Sequence, residues 1–311
     1  MSKNTKIKLF CSRDWEDYEL LDTGEGEKLE RFGEYTFVRP HEDALWVKTL
    51  SRKEWEKADG KLWSSKVGAK PGWKFDKKIT DKWEMQYKGV KFLASPTPFR
   101  HLGFFPEQAS HWDFIEKTIK DVSNSRGRTS GSLEVRPLKF LNLFGYTGVA
   151  SLFALRAGAE VTHVDASKQT LNWAKENQKL NAELAEAPMR VIEDDVLKFL
   201  EREEKRGNKY DAIIMDPPKF GRGPKGEVWK IEEMLPKLLS QVQKVLSDKP
   251  LFVILTSYAT DSSSLSLGYA LALAMKDFKG QIEQGELCIL EKSNNRLISL
   301  ANTAVWGADM V

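Results

Sequence analysis

The sequence has few cysteines and no long apolar run. Its 311 residues include only Cys11 and Cys288, which form no CxxC pattern and no set of metal-ligand spacings. This scarcity is typical of a reducing compartment and argues against disulfides, structural zinc or another metal site. No segment is apolar over the length that a membrane span needs, and residues 1–6 lack the apolar stretch of a secretory signal. We therefore expect a cytoplasmic protein without a membrane partner.

A large excess of charge of either sign is also missing, since the net charge is only +3. The distribution says more, because residues 1–47 hold 11 acids and 7 bases, whereas residues 48–91 hold 13 bases and 6 acids. The second window also contains Trp55, Trp63, Trp73 and Trp83. Basic side chains neutralise phosphates and aromatic rings stack on unpaired bases, which would suit RNA. The tryptophans could equally form the core of a small domain with a solvated basic rim.

The hydrophobic pattern divides the chain into three segments. Residues 1–93 contain short β-like runs separated by glycine and proline, which predicts a small β-rich domain. Residues 94–136 predict a connecting segment with one helix. Strand and helix patterns alternate over residues 137–311, which predicts an α/β domain with a Rossmann-like, mainly parallel sheet.

Residues 137–165 are the most informative part of the chain. An apolar run leads into Asn-Leu-Phe-Gly-Tyr-Thr-Gly at residues 142–148, and a second apolar run ends at Asp165. Glycine lets the backbone approach a ligand, and an acid at this strand end can accept hydrogen bonds from ribose hydroxyls. A dinucleotide-binding loop has a third glycine for its pyrophosphate. With only Gly145 and Gly148, the loop favours a ribose-containing ligand without phosphate, such as S-adenosylmethionine (SAM). An ordinary strand-to-helix turn is the alternative.

Two further strand ends carry acidic residues. The predicted third strand runs into Asp194 and Asp195, and the fourth ends in Asp-Pro-Pro-Lys-Phe at residues 216–220. Open α/β sheets bind ligands outside the carboxyl ends of their strands. Because such signals follow four successive strands, we expect a nucleoside site at that edge. Asp216, on a loop stiffened by two prolines, could accept hydrogen bonds from an exocyclic amine and position it.

These motifs resemble those of the class I SAM-dependent methyltransferases. Within them, the chain is similar over about residues 87–306 to the bacterial 23S rRNA large-subunit methyltransferase family, which carries a similar glycine loop and Asp-Pro-Pro-Lys-Phe motif. The resemblance implies a seven-stranded sheet with an antiparallel last strand, SAM as cofactor and ribosomal RNA as partner. It implies that the loop at residues 145–148 meets the methionine end of SAM and that Asp165 binds the ribose. Asp195, with the Val196 amide, would read adenine, although Asp194 stays an alternative.

The expected site residues fall into three groups. The cofactor group comprises Asn142, Phe144, Gly145, Tyr146, Thr147, Gly148, Asp165, Ala166, Asp194, Asp195, Val196 and Gln108. The catalytic group comprises Asp216, Pro217, Pro218 and Phe220. Amino-methylating enzymes place an aromatic residue directly after the second proline, whereas here Lys219 intervenes before Phe220. No histidine is given a catalytic role.

The third group binds the substrate and lies just past Asp-Pro-Pro. Residues 219–230 contain three glycines and the bases Lys219, Arg222, Lys225 and Lys230. This composition predicts a mobile basic loop that contacts a phosphate-bearing substrate, with a merely solvated loop as the alternative. RNA would be held between this loop and the N-terminal domain.

The lack of a cysteine after strand five restricts which atom the enzyme could methylate. Members of the family that methylate cytosine C5 use a cysteine after strand five, which attacks the base covalently. The corresponding residues here are Leu-Thr-Ser-Tyr at 255–258. A nitrogen acceptor is therefore favoured over C5. Methylation of a protein or small molecule, a nicotinamide-dependent oxidoreductase on a similar fold, and a binding protein without activity stay as alternatives.

Overall fold

The computed structural model describes residues 6–63, 72–97, 101–129, 136–258 and 263–309. Contacts divide the chain into two compact units. Unit 1 comprises Met1–Phe10, Ser110–Leu287 and Leu300–Val311, and unit 2 comprises Cys11–Ala109 and Cys288–Ser299. Both units are thus assembled from separated stretches of chain. This division differs from the three consecutive segments that the hydrophobic pattern predicts.

The described residues form strands and helices with the following bounds. The strands are β1 (Ile7–Cys11), β2 (Tyr18–Gly24), β3 (Glu27–Phe32), β4 (Tyr35–Pro40), β5 (Gly60–Trp63), β6 (Gly72–Phe75), β7 (Trp83–Tyr87), β8 (Val90–Ala94), β9 (Lys139–Leu143), β10 (Glu160–Asp165), β11 (Met189–Glu193), β12 (Ala212–Met215), β13 (Phe220–Arg222), β14 (Val228–Lys230), β15 (Phe252–Ser257), β16 (Gly280–Leu290) and β17 (Leu297–Ala308). The helices are α1 (Arg52–Trp55), α2 (Ala109–Thr129), α3 (Val149–Arg156), α4 (Lys168–Lys179), α5 (Val196–Arg206), α6 (Ile231–Val245) and α7 (Ser264–Ala274). Short 3₁₀ helices cover Pro106–Gln108 and Ala182–Leu184.

The large sheet has the strand order β1-β16-β17-β15-β12-β9-β10-β11. The neighbours from β15 to β11 pair in parallel, and β17 pairs antiparallel to β15. The expected α/β class and the seven-stranded sheet with an antiparallel last strand are therefore confirmed. Strand β1 adds an eighth strand beside β16, at an edge that the sequence pattern did not predict.

The core of unit 1 contains strands that are buried throughout. All four residues of β12 and all six of β15 are buried. Central parallel strands are covered on both faces, which explains why their apolar runs do not alternate with polar residues. Helix α5 shows the amphipathic pattern instead. It buries Phe199 and Leu200, while its last turn carries Lys205 and Arg206.

Side-chain caps start helices α4 and α5 where the sequence predicts these helices. Ser167 precedes α4 and accepts a 3.4 Å hydrogen bond from the Thr170 amide, and Asp195 caps α5. Helix α2 runs to Thr129, further than the predicted end near residue 124. Residues 123–129 are therefore helical rather than a polar loop, since they contain no proline to end the helix. Residues 130–132 of that predicted loop lie outside the described residues. In the part of the chain that the structure describes, no helix has the length and apolarity of a membrane span.

Unit 2 contains the predicted β-rich structure, as the five-stranded sheet β2-β3-β4-β5-β6 and the hairpin β7-β8. Its tryptophans divide between the two alternatives. Trp55 packs with Leu29 and Val38, and Trp83 is also buried, as a core would require. Trp63, in contrast, is 45% exposed. The tryptophans thus supply both core and surface.

Part of the basic excess of residues 48–91 is neutralised within unit 2. Lys48 and Lys61 both bind Glu27, at 2.7 and 2.6 Å, and Lys88 binds Asp14 at 2.7 Å. Because acids of residues 1–47 pair with bases of the second window, the +7 balance overstates the charge that this unit presents to solvent.

Candidate active site

Three loops leave neighbouring strands of the large sheet at the same level. Leu143 on β9 is paired with Val164 on β10 and with Met215 on β12. The next residues along the three strands are Phe144, Asp165 and Asp216, so these motifs meet at one edge. The direction of strand order reverses between β9 and β12, which makes this edge the topological switch point where open α/β sheets bind ligands.

The loop after β9 has an unusual backbone. Phe144, Tyr146 and Gly148 all have positive φ, at 57°, 53° and 84°. The Gly145 amide donates to the Val164 carbonyl at 2.9 Å, and the Tyr146 amide donates to Asp165 Oδ2 at 2.9 Å. Residues other than glycine rarely adopt positive φ unless their surroundings hold them there, and such positions cluster at functional sites. The backbone of this loop is therefore held in an uncommon conformation by its surroundings, and the loop is not an ordinary strand-to-helix turn.

The glycines of this loop have an internal reason that the sequence did not reveal. A Cβ on Gly145 would lie 2.5 Å from Nδ1 of His163, and a Cβ on Gly148 would lie 2.9 Å from Cβ of Ala174. The expected close approach of a ligand stays a prediction. The structure shows in addition that the glycines make room for His163 and Ala174.

His163 belongs to a buried hydrogen-bond chain under the loop. Asn142 Nδ2 donates to Ser151 Oγ at 3.0 Å, Ser151 Oγ lies 3.0 Å from His163 Nδ1, and His163 Nε2 lies 3.2 Å from the Tyr146 carbonyl. Burial lowers the pKa of His163, so the ring is neutral at pH 7. A carbonyl only accepts, so Nε2 carries the proton and Nδ1 accepts from Ser151. In the sequence, a histidine inside an apolar strand is the feature that could have indicated this buried hydrogen-bond chain.

Asp165 is held by three hydrogen bonds. Its Oδ1 accepts from the Ser167 amide at 2.9 Å and from Thr170 Oγ1 at 3.0 Å, while Oδ2 accepts from the Tyr146 amide. A carboxylate offers about four acceptor positions, so capacity for a ligand hydroxyl is left. Ala166 follows it directly. Thr147 also supports the loop, because its carbonyl accepts from Asn177 Nδ2 at 2.9 Å.

The two acids after β11 have different partners. Asp195 Oδ1 accepts from the Lys198 amide at 3.0 Å and thereby caps α5, with Val196 as the first helical residue. Asp194 pairs with Arg202 and accepts from the Asp195 amide at 3.0 Å. The Asp194 amide donates to the Asp165 carbonyl at 3.1 Å, which joins this loop to the previous strand end. The assignment of adenine binding to Asp195, with Asp194 as the alternative, stays a prediction.

The basic segment after Asp-Pro-Pro is a β-hairpin rather than a mobile loop. Strands β13 and β14 pair antiparallel, with Phe220 opposite Lys230 and Gly221 opposite Trp229. The prediction of a loop is wrong here. The two strands could not be recognised in the sequence, because each is only three residues long and has no apolar run. The turn is braced by Glu227, whose Oε1 lies 2.5 Å from Lys198 Nζ; this ion pair lowers the pKa of Glu227 to about 2.

The four predicted substrate-binding bases are not equivalent. Lys230 pairs with Glu233 at 2.8 Å. Arg222 and Lys225 are exposed and make no ion pair with any described residue, and Lys219 is exposed beside Pro218. Phe220 is 55% exposed on the same strand as Arg222. The hairpin thus presents an aromatic ring and cations to solvent.

Trp229, which the sequence motifs did not indicate as a site residue, anchors the hairpin. Its side chain is only 5% exposed, its Nε1–H donates to the Pro218 carbonyl at 2.6 Å, and its ring lies 4.9 Å from that of Phe144. Gln108, a predicted cofactor residue, is buried in the 3₁₀ helix Pro106–Gln108 of unit 2. Its cofactor contact stays a prediction.

Comparison with known proteins identifies the family. Residues 126–264 match the family described as conserved hypothetical protein 95. The chain is 39% identical to a SAM-dependent methyltransferase from Agrobacterium tumefaciens of known crystal structure, with 99% of this chain and 98% of that chain covered and a TM-score of 0.88. The chain belongs to the SAM-dependent methyltransferases. The oxidoreductase alternative is therefore wrong.

Curated relatives of this methyltransferase include two ribosomal RNA enzymes. The ribosomal RNA large subunit methyltransferase K/L of Pseudoalteromonas translucida (strain TAC 125) is 32% identical over 161 residues, which are 51% of this chain and 20% of the relative. The ribosomal RNA large subunit methyltransferase I of Aeromonas salmonicida (strain A449) is 33% identical over 137 residues, which are 44% of this chain and 30% of the relative. The methyltransferase thus spans less than a third of the length of either protein.

Proposed function

We propose that this methyltransferase transfers a methyl group from SAM to a nitrogen atom of RNA, and of ribosomal RNA in particular. The observation that carries the proposal is the meeting of the glycine loop, Asp165 and Asp216 at the switch point, with the basic hairpin directly after Asp-Pro-Pro. The ribosomal RNA methyltransferases among the curated relatives support the same acceptor. Such an acceptor would place the reaction in the cytoplasm.

The residues at the strand ends fit SAM by their chemistry. Residues 142–148 contain two glycines and lack the third that a dinucleotide-binding loop uses for its pyrophosphate, whereas acids lie at the end of β10 and after β11. Asp165 would accept the ribose hydroxyls, and Asp195 with the Val196 amide would meet the adenine edge. The loop from Phe144 to Gly148 would contact the methionine part. When bound, SAM supplies a methyl group on a cationic sulfur, which a nucleophilic lone pair can displace.

The Asp-Pro-Pro segment would position the acceptor. Asp216 directly follows the buried strand β12, so its backbone lies at the edge where the predicted cofactor residues meet. Its carboxylate would accept a hydrogen bond from an N–H of the acceptor and aim the nitrogen lone pair at the methyl carbon. The carboxylate would also favour departure of the amine proton after the new N–C bond forms.

The positions and burial of the two cysteines favour a nitrogen atom over cytosine C5 as the methyl acceptor. Strand β15 ends in Thr256 and Ser257 without a cysteine, and Ser257 is buried. Burial raises the pKa of the Cys11 thiol, which keeps it protonated and weakly nucleophilic at neutral pH. Cys288 is buried in β16, as expected for a core thiol. Neither cysteine therefore offers the reactive thiolate that a covalent C5 mechanism needs.

The acceptor is tested by nucleoside mass spectrometry of ribosomal RNA from a strain that lacks the gene. We expect one N-methylated nucleoside to disappear, to return with the wild-type gene and to stay absent with Asp216→Asn. Loss of 5-methylcytidine instead would contradict the nitrogen assignment. If no rRNA nucleoside changes although calorimetry shows SAM binding, a protein or small-molecule acceptor replaces RNA.

The thiol assignment has its own test. A Cys11→Ser, Cys288→Ser double variant should keep wild-type methylation of rRNA from the deletion strain. RNA that contains 5-fluorocytidine should not form a covalent adduct with the wild-type protein. An adduct on a denaturing gel, lost in the double variant, would overturn the nitrogen assignment.

A further inference from the structure

The hairpin formed by β13 and β14 has two different faces. The side chains of Phe220, Arg222, Val228 and Lys230 are exposed, whereas Trp229 on β14 is buried opposite Gly221. Because side chains alternate along a strand, one face of the hairpin can meet a substrate while the other packs on the protein. A Cβ on Gly221 would lie 3.3 Å from Pro218 Cγ, so this position also adjoins the Asp-Pro-Pro segment.

Trp229 joins the two loops that the reaction would use. Its Nε1–H donates to the Pro218 carbonyl at 2.6 Å, and its ring lies 4.9 Å from that of Phe144, at an angle of 59°. Phe144 begins the glycine loop and has positive φ. One buried side chain thus contacts both the acceptor segment and the cofactor loop.

The two prolines of the Asp-Pro-Pro segment restrict its backbone hydrogen bonds. Pro217 and Pro218 carry no backbone N–H, so these two residues can join main-chain hydrogen bonds only through their carbonyl oxygens. The Pro218 carbonyl is the one that Trp229 binds. A second brace comes from Glu227 in the hairpin turn, which binds Lys198 of α5, the helix that Asp195 caps.

We propose that Trp229 is a positioning residue for methyl transfer. It holds the Pro218 carbonyl at a fixed place relative to Phe144, and so holds Asp216 and the acceptor in line with the methyl group. In-line transfer is sensitive to displacement, and misplacement by about 1 Å can lower the rate about 100-fold. This proposal rests on the proposed methyl transfer to RNA, and it adds a residue that does not itself touch the reacting atoms.

The decisive variant is Trp229→Phe, which keeps an aromatic ring against Phe144 and removes the N–H donor to Pro218. We expect kcat on rRNA from the deletion strain to fall about 10-fold or more, with the KM for SAM within about twofold of wild type. Amide hydrogen exchange of Lys219 and Phe220 should become several-fold faster, because their anchor is lost.

The matched control is Trp306→Phe. Trp306 is equally buried on β17, but it pairs with Val253 near the start of β15, at the opposite edge of the sheet. It should lower the melting temperature at least as much as Trp229→Phe while leaving kcat and the exchange of residues 219–220 unchanged.

Equal kcat and equal exchange in Trp229→Phe and wild type would overturn the proposal. A similar loss of kcat in both variants would also overturn it, since the effect would then be general destabilisation. If the wild-type protein methylates no rRNA, the proposed acceptor fails. The exchange measurement, which needs no acceptor, then still decides whether Trp229 anchors the segment.

Discussion

The imidazole ring of His163 occupies the place where a Cβ of Gly145 would project. A Cβ there would lie 2.5 Å from Nδ1 and 3.0 Å from Nε2 of the ring. Because Nε2 of His163 donates to the Tyr146 carbonyl, the same ring both demands the glycine and supports the residue after it. The conformation of the glycine loop thus depends on His163, a residue of β10 that lies 18 positions after Gly145 in the sequence.

Gly145→Ala should therefore destabilise the protein through a clash with His163. We expect a loss of about 1–3 kcal/mol in the free energy of unfolding, as for other overpacked sites, together with weaker SAM binding. Gly307→Ala is the control, because a Cβ there meets no atom within 4 Å. Urea unfolding and calorimetry measure both effects. In the background of His163→Ala, the added cost of Gly145→Ala should shrink, and an unchanged cost would contradict the steric explanation.

Asp165→Asn should weaken SAM binding about 10- to 100-fold, because the ribose hydroxyls lose a charged acceptor worth about 1.5–3 kcal/mol. The variant should also melt earlier, since the Tyr146 and Ser167 amides lose a charged acceptor. Thr170→Val separates the two effects, because it removes one support of Asp165 and keeps the carboxylate. Calorimetry that shows equal SAM affinity in Asp165→Asn and wild type would remove Asp165 from the ribose site.

Arg222→Ala combined with Lys225→Ala should weaken RNA binding and flatten its dependence on salt. Each phosphate contact contributes about 0.7 to the slope of log K against log salt for single strands, so two lost contacts should lower its magnitude by about 1.4. Lys175→Ala with Lys179→Ala, on helix α4, removes the same charge and should leave the slope unchanged. SAM affinity should stay nearly intact. Gel-shift titrations of rRNA fragments at several salt concentrations would show no difference if the hairpin does not contact RNA.

Acid should destabilise the protein partly through His111. Burial, with a smaller contribution from Lys8, lowers the pKa of His111 to about 3, and its Nε2 lies 2.8 Å from Thr303 Oγ1. Between pH 6.5 and 3 the unfolded chain takes up a proton that the folded protein does not. Stability should therefore be complete above pH 6.5 and fall by about 1.4 kcal/mol per pH unit below it.

His111→Gln should flatten this fall in urea unfolding measured from pH 7 to pH 4. The remaining dependence belongs to other groups, among them His163, whose pKa burial also lowers. Parallel pH profiles for His111→Gln and wild type would show that His111 does not stay neutral in the folded protein.

The sequence by itself determined the elements of the α/β unit and the positions of its motifs. Apolar runs such as β12 and β15, caps such as Ser167 and Asp195, and the acid at the end of β10 are each encoded within a few neighbouring residues. Because parallel strands present their carboxyl ends at one edge, their order already predicted that the motifs meet.

Only the tertiary structure decided the partners of these residues. The side chain that crowds a Cβ at Gly145 is His163, the side chain that binds the Pro218 carbonyl is Trp229, and the eighth strand of the large sheet is β1. The hairpin of residues 220–230 was also hidden, since its two short strands are stabilised by one buried tryptophan and an ion pair to α5. Such contacts join residues that are distant in sequence, and no local pattern of hydrophobicity or turn residues encodes them.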